Sequence, residues 1–513
     1  MPKAPAYYVT SPIYYVNDVP HVGHAYTSLA CDALARFMRL DGFEVKFLTG
    51  TDEHGQKVEK SAAAAGEEPQ AFVDKVAQRF RDLSRVMAYT NDDFVRTTEA
   101  RHIRAAQQVW RELKARGQIR LGTYAGWYSV RDEAFYGESE VVDGKAPSGA
   151  PVEWVEEPSY FFRLSAWRDR LLDFYEKNPG CILPLTRRNE VISFVKAGLR
   201  DLSISRTSFR WGIPVPDDPD HIMYVWLDAL VNYLTGVGYP DTASRESHKF
   251  WPADVHIVGK DILRFHAVYW PAFLMAADLP PPKRVFAHGW WTNEGQKISK
   301  SLGNIIDPLV LVDKYGLDAV RYFLLREVPF GNDGDFSHRM MVKRMNDELA
   351  NDFGNLVHRV LAMIHRNCDG MVPQPAAFAE PDETLLAAAH GLLEKMRPAF
   401  AQQAFHQAVT ELWEVVGEAN RYVDSQAPWA LAKTDPGRMR TVLYTAAETI
   451  RHLAILIQPV TPHAAAHMLD QLGVSEQRRT FVALGAAALE PGTALPTPEA
   501  VFPRYVEKAA ETG

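Results

Sequence analysis

The chain has 513 residues, too many for a single hydrophobic core, so two to four domains are expected. Its 47% hydrophobic and 23% charged residues suit a soluble globular enzyme, and no apolar run approaches the roughly 18 residues of a membrane span or forms an amino-terminal signal peptide. Three scattered cysteines, Cys31, Cys181 and Cys368, argue against a disulfide framework or a C-x-x-C metal site and fit a reducing cytoplasm, while a net charge of -8 leaves nucleic-acid binding to local basic patches.

Residues 6–9 read as a short buried strand, followed by a loop with Pro12 and Pro20. A helix is expected from about 25 to 40, where Leu29, Ala33, Phe37 and Leu40 recur at helical spacing. After the Asp41-Gly42 turn, 45–48 reads as a second strand, closed by Thr49-Gly50-Thr51-Asp52. Strand, loop, helix, strand is one βαβ unit, and its natural home is a parallel, doubly wound α/β sheet. Helical patterns run on through Glu112 and break at Gly117. From 119 to 211 the texture changes to aromatic-rich short segments with Gly, Pro and acidic turns, which indicates an insertion with its own small fold. The α/β pattern resumes at 223–227 and 255–258, with a helix at 266–276 and a strand at 285–287. Beyond about Asp335 no strand is expected: amphipathic segments at 340–366, 383–398, 402–424 and 440–457 predict a helical bundle. A tail rich in Ala, Pro and Gly, from about Gly485, is expected to wrap back over the body.

Two runs carry chemistry. His21-Val22-Gly23-His24 lies between the first strand and the first helix, the ligand crevice of a doubly wound sheet. A helix amino terminus there offers unpaired N–H groups to phosphate, Gly23 permits close backbone approach, and two imidazoles can donate hydrogen bonds. The loop is not a P-loop, since it lacks G-x-x-x-x-G-K-[ST]. Lys297-Ile298-Ser299-Lys300-Ser301, followed by Leu302-Gly303-Asn304, suits a mobile clamp on a polyphosphate. Taken alone, each run also fits an ordinary surface loop. Both together, on either side of a split sheet, point to a nucleotide.

HVGH and KISKS resemble the two signatures of class I aminoacyl-tRNA synthetases, usually written HIGH and KMSKS. The resemblance extends over nearly the whole chain and matches the methionine family through SPIYYVNDVPHVGH, FLTGTDEHGQK, YVWLDALVNY, HIVGKDILRFH, KISKSLGNIIDP and NRYVDSQAPWALAK. It implies an α/β, Rossmann-like catalytic domain split by a connective insertion and followed by an α-helical anticodon-binding bundle. The expected boundaries are 1–118 and 213–295 for the two catalytic halves, 119–212 for the insertion, 296–340 for the signature-loop region, 341–484 for the bundle and 485–513 for the tail.

The resemblance also implies roles. His21, Gly23, His24, Lys297 and Lys300 would hold the ATP phosphates, Gly259 and Asp261 the ribose, and Arg206 the charge of ATP or of the methionine carboxylate. Asp52 would hold the methionine α-amino group, with Ile13, Tyr15, Trp226, Ala229, Tyr233, Ile262 and His266 around the side chain. Aromatic walls suit methionine, whose polarizable sulfur gains contacts at ring edges, and the polar tips of Tyr15 and His266 are expected to reach the thioether. Asn355, Arg359 and Trp429 would read the CAU anticodon of tRNA(Met), the first two sharing a helix face. ATP would act with Mg²⁺. Nothing suggests a membrane role; the expected protein is cytoplasmic and, lacking the extra carboxyl-terminal domain of some relatives, a monomer.

The chain departs from the family in its insertion. Many methionine enzymes carry a zinc knuckle built from cysteine pairs, whereas Ser129 and Asp132 stand where thiolates would be and the run from Lys145 to Gly149 has none. A knuckle without metal is expected, held by packing of Tyr124, Trp127, Tyr128, Phe135 and Tyr136. The isoleucine of KISKS is a volume-conserving swap. Rival readings are a leucine, isoleucine or valine synthetase, a small-molecule nucleotidylyltransferase and a catalytically silent RNA-binding protein. The small insertion, the helical domain and the intact signatures respectively count against them.

Overall fold

Glu44–Asp52 is the longest strand of a seven-stranded sheet, and its last residues are buried because the sheet is covered on both faces. In this computed structural model, which describes residues 4–16, 19–132, 134–298, 303–486 and 488–507, the chain forms two compact units. One comprises Ala6–Pro20 and Lys46–His288; the other comprises Met1–Pro5, His21–Val45 and Gly289–Gly513.

The first unit is built on the sheet. Its strands are β1 (Ala6–Thr10), β2 (Tyr14–Tyr15), β3 (Glu44–Asp52), β4 (Asp93–Arg96), β5 (Ile182–Leu183), β6 (Val255–Gly259) and β7 (Val285–His288). They lie in the order β2–β3–β1–β6–β7–β5, with β4 also on β3. The pairs β2/β3, β3/β4, β1/β6, β6/β7 and β7/β5 are parallel. That is the doubly wound α/β architecture expected from the βαβ pattern. Register sets the site: Tyr15 pairs directly with Asp52, so both stand at the carboxyl end of the sheet. Gly50 is glycine because a Cβ there would meet the Val95 carbonyl oxygen at 2.0 Å and the Ile13 side chain at 2.9 Å.

The insertion is an antiparallel ribbon. Ile119–Ser129 pairs with Glu153–Phe162 from Ile119↔Phe162 to Tyr128↔Glu153. The expected strand at 223–227 is a correction. The strand there is Asp218–Met223, antiparallel in a separate three-stranded sheet, and Val225–Leu230 is a helix. Met223 to Leu227 is an unbroken apolar run, which fits a buried strand as well as a buried helix, and Asp228 beyond it is buried and bonded to two imidazoles that its sequence neighbours could not reveal.

In the second unit, the helix expected from 25 begins earlier, as Val22–Leu40, so the histidine run forms its cap. It ends at the turn where Gly42 takes φ +89°, a conformation glycine adopts without strain. Asp32 on this helix and Arg321 on Leu317–Arg326 form a fully buried ion pair at 2.7 Å, and the guanidinium also donates to the carbonyls of Pro459 and Val460. Removing one partner of such a pair costs about 3–5 kcal/mol. Farther along, Phe37 stacks on Phe400 at 4.0 Å.

Long helices follow, among them Asn355–Asn367, Glu380–Ala401, Phe405–Gln426 and Pro436–Ile457, as the amphipathic pattern indicated. The tail does wrap back within this unit: Phe502 packs on Phe353, and Tyr505 on Tyr315. No helix among the described residues is long and apolar enough to cross a membrane.

Candidate active site

The histidine run is held by its own backbone. Gly23 N–H donates to His21 Nδ1, and His21 N–H donates to His24 Nδ1, each at 3.1 Å. These bonds close a capping box at the start of the helix. Because both Nδ1 atoms accept, each neutral imidazole carries its proton on Nε2. The rings stack 3.8 Å apart. Burial and the neighbouring His21 hold His24 well below the ordinary histidine range, so it is a neutral donor at pH 7. Gly23 has a second reason to be glycine: a Cβ there would lie 2.9 Å from the His21 ring.

The segments that flank the lysine run are tied to the same helix. Val22 N–H donates to the Ile306 carbonyl at 3.0 Å, and Tyr26 packs edge-on against Trp291 at 5.3 Å. Trp291–Asn293 and Gln296–Lys297 form the hairpin that leads into the signature loop. Asn304 closes the loop: its side-chain amide donates to the Lys297 carbonyl, while its own carbonyl accepts from Asn293. Lys297 is exposed, with Nζ 5.8 Å above the Trp290 ring. Lys300 lies outside the described residues.

In the sheet unit, the aromatic residues form a contiguous group. Trp226 stacks on Phe265 at 3.7 Å with the rings 5° from parallel, and meets His266 edge-on at 6.2 Å. His266 Nδ1 donates to the Ile262 carbonyl at 3.0 Å, so Nε2 is the acceptor for the Tyr233 hydroxyl at 2.7 Å. Burial pushes His266 down to about 4, against a smaller opposing effect of the Ile262 carbonyl and Asp261. Both nitrogens of His266 are thus engaged, which corrects the expectation that its tip reaches the thioether. Tyr15, Trp226 and Ile262 pack on one core, and Ala229 follows on the Trp226 helix. Asp52, 7% exposed, ends β3. Gly259 ends β6 beneath Asp261, whose Oδ1 would lie 2.5 Å from a Cβ at that glycine, and pairs with His288 on β7.

Arg206 is buried between the Tyr128 and Tyr224 rings, at 5.3 and 4.9 Å, and donates to Ser203 Oγ at 2.9 Å. It therefore joins the insertion to the residue that precedes the Trp226 helix. Residues 119–211 contain no histidine and one cysteine, Cys181, far along the chain from the turn, so the family's paired thiolates have no counterpart here. In their place Asp132 accepts from the Tyr136 hydroxyl at 3.0 Å and from the Ser148 hydroxyl, while its N–H donates to Ser129 Oγ. Trp127 packs on Trp154 at 5.4 Å. Hydrogen bonding joins the expected aromatic packing; the Phe135 side chain lies outside the described set. Elsewhere, His390, Glu448 and His452 could group around an ion, but Arg451 already occupies the Glu448 carboxylate at 2.5 and 2.9 Å.

In the bundle, Asn355 and Arg359 lie one turn apart on one helix, and Arg359 forms an ion pair with Asp424 at 2.9 Å. Five residues beyond Asp424, Trp429 is 49% exposed at the start of Pro428–Thr434. Asn355 follows a wide π-turn stretch, Arg344–Gly354, and His266 sits in another, Phe265–Tyr269. Such stretches recur at functional sites.

The family described as "tRNA synthetases class I (M)" matches residues 7–151 and 146–361, and "Anticodon binding domain of methionyl tRNA ligase" matches 372–512. The chain belongs to the methionyl-tRNA synthetases. It is 57% identical to the methionine–tRNA ligase of Brucella suis over 98% of both chains, and 55% identical to that of Mycobacterium bovis over 97% of this chain and 98% of the other. The Mycobacterium tuberculosis methionyl-tRNA synthetase in complex with methionyl-adenylate superimposes with a TM-score of 0.96 at 54% identity, covering 98% of this chain and all of that one. Sequence reading did not anticipate three neighbours of the expected site residues: Phe265 on Trp226, His288 beside Gly259 and Asp424 on Arg359. Phe265 was the most accessible, as an aromatic beside His266; the other two become visible only through their spatial partners.

Proposed function

We propose that the chain carries out methionine–tRNA ligation with the residues assembled above. The methionine carboxylate attacks the α-phosphorus of ATP in line, and the bond to the β-phosphate oxygen breaks with departure of pyrophosphate. A ribose hydroxyl of the terminal adenosine of tRNA(Met) then attacks the carbonyl carbon of methionyl-adenylate, gives up its proton and expels AMP. The first step transfers charge onto phosphate oxygens, so fixed donors aimed at them are the most effective catalytic elements.

His21 and His24 supply those donors through Nε2–H, and the helix amino terminus adds its positive dipole end. Lys297 and Lys300 neutralise the departing pyrophosphate. Gly259 and Asp261 take the ribose, and Arg206 takes the charge of ATP or the methionine carboxylate. ATP enters as its magnesium complex, a substrate. Asp52 holds the α-ammonium by charge and hydrogen bond together. Ile13, Tyr15, Trp226, Ala229, Tyr233, Ile262 and His266 enclose the side chain. With His266 engaged by Ile262 and Tyr233, the polar contact to sulfur falls to Tyr15.

Trp429 stacks an anticodon base while Asn355 and Arg359 bond base edges. The knuckle works without zinc, and the division into catalytic halves, insertion and anticodon bundle belongs to the same reading. A monomer acting in the cytoplasm completes this reading.

The observation that carries this reading is the helix cap: both signature imidazoles present Nε2 donors, and Val22 is bonded to the exit of the lysine loop. ATP–pyrophosphate exchange across all twenty amino acids tests it. Methionine alone should support exchange. Exchange with another amino acid, or with none, would overturn the proposal.

A further inference from the structure

One buried carboxylate joins segments that carry the methionine residues. Asp228, 1% exposed, places Oδ2 2.7 Å from His54 Nδ1 and Oδ1 2.7 Å from His102 Nε2. The imidazoles are 6% and 0% exposed. Two opposing imidazoles, and the low position of the Asp228 carboxyl despite its burial, identify an ionised acceptor.

The connectivity gives this network its meaning. His54 stands two residues past Asp52, at the end of β3. Asp228 lies between Trp226 and Ala229 on Val225–Leu230. His102, on Ala100–Ala115, turns its second nitrogen to Thr235 Oγ1 at 3.0 Å, and Thr235 is two residues past Tyr233 on Asn232–Thr235. The chain of groups therefore runs from the residue assigned to the ammonium, through the aromatic wall, to the tyrosine that bonds His266. A scaffold with only a packing duty would use apolar residues here, since burying a charge and two imidazoles is costly unless geometry must be fixed.

We propose that the His54–Asp228–His102 network positions the methionine site: it fixes the distance between the ammonium-binding end of β3 and the aromatic wall. This rests on the assignment of Asp52, Trp226, Ala229 and Tyr233 to methionine. Asp228 touches no substrate in this account; it is a positioning residue. Its loss should therefore weaken methionine binding without disturbing ATP.

The test is methionine-dependent ATP–pyrophosphate exchange with the full-length enzyme, with KM measured separately for methionine and ATP. Misplacing a site by about 1 Å can cost about 100-fold, so Asp228→Ala should raise KM for methionine by about 30-fold or more and KM for ATP by less than about 3-fold. Asp228→Asn can still accept from one imidazole and donate to the other after a tautomer change, so it should recover most of the loss. His102→Phe, which cuts the arm to Thr235 from a helix with no assigned site residue, should show the same split at about 10-fold. It also serves if Asp228→Ala does not fold.

Leu171→Ala, buried in the same core on Arg168–Lys177, controls for general destabilisation and should show no split. Parallel rises in both KM values, or the same split in Leu171→Ala, would overturn the positioning role. Asp52→Asn and Trp226→Ala test the underlying assignment. Unchanged KM for methionine in those two variants would reject that assignment whatever Asp228 does.

Discussion

The cap of the signature helix and the aromatic group of the sheet unit both fix imidazoles in one tautomer, but over very different sequence distances. At the cap the partners are two and three residues apart, His21 with Gly23 and with His24. In the aromatic group most are far apart, Tyr233 with His266, His102 with Asp228 and His54 with Asp228, the bond from His266 to the Ile262 carbonyl being the one local contact among them. A local device depends on a short run surviving intact. A distributed device depends on the whole sheet unit folding, and its parts fail together. The cap should therefore govern chemistry with little effect on methionine affinity, and the distributed network the reverse.

The sharpest way to break this contrast is His24→Ala, which removes one aimed donor and should lower the exchange rate by about 100- to 1,000-fold with KM for methionine little changed. A rise in that KM with an unchanged rate would erase the distinction. Trp429→Ala extends the comparison to the bundle. Loss of base stacking worth about 1–3 kcal/mol should cut aminoacylation efficiency about 10- to 100-fold while exchange stays intact. Equal losses in both assays would mean that the tryptophan serves folding instead.

Tyr233→Phe is a smaller perturbation. It leaves His266 Nε2 as a buried acceptor without its donor, costing about 1–3 kcal/mol in urea unfolding, with a severalfold rise in KM for methionine. An unchanged unfolding midpoint would show that the hydroxyl is idle.

The smallest expected effect is on pH dependence. His266 titrates near 4 in the folded state and near the ordinary 6.5 when unfolded, so the unfolded chain binds the extra proton first. Its contribution to stability is present above pH 6.5 and is lost as the pH falls toward 4. His256, which burial and the neighbouring His266 also hold low, adds in the same direction. Unfolding midpoints between pH 7.5 and 5 should decline less steeply in His266→Gln than in the parent. Identical slopes would contradict a neutral buried imidazole.

The same contrast explains what was legible in the sequence. The βαβ order, the parallel sheet and the helical bundle follow from hydrophobic period and turn residues, which are local signals. HVGH and KISKS could be read because their chemistry sits within a few residues. The start of the helix at Val225–Leu230 was misread as a strand because Met223 to Leu227 is uniformly apolar and shows no period, and Asp228, which follows, is buried against histidines more than a hundred residues away. Similarly, nothing near His266 indicates that the distant Tyr233 engages its Nε2, and nothing near Asp132 marks Ser148, sixteen residues on, as a partner of its carboxylate.

One pair of substitutions tests the central claim, that the signature imidazoles act as neutral Nε2–H donors fixed by their Nδ1 bonds. In His24→Gln the amide nitrogen can stand where Nε2 was, at the expense of the cap; in His24→Asn the side chain can keep the cap bond from His21 N–H but falls short of the phosphate. Exchange rates with saturating methionine should place the Gln enzyme within about 10-fold of the parent and the Asn enzyme about 100-fold or more below it. An Asn enzyme as active as the Gln enzyme, or more so, would contradict the assignment of the donor to Nε2.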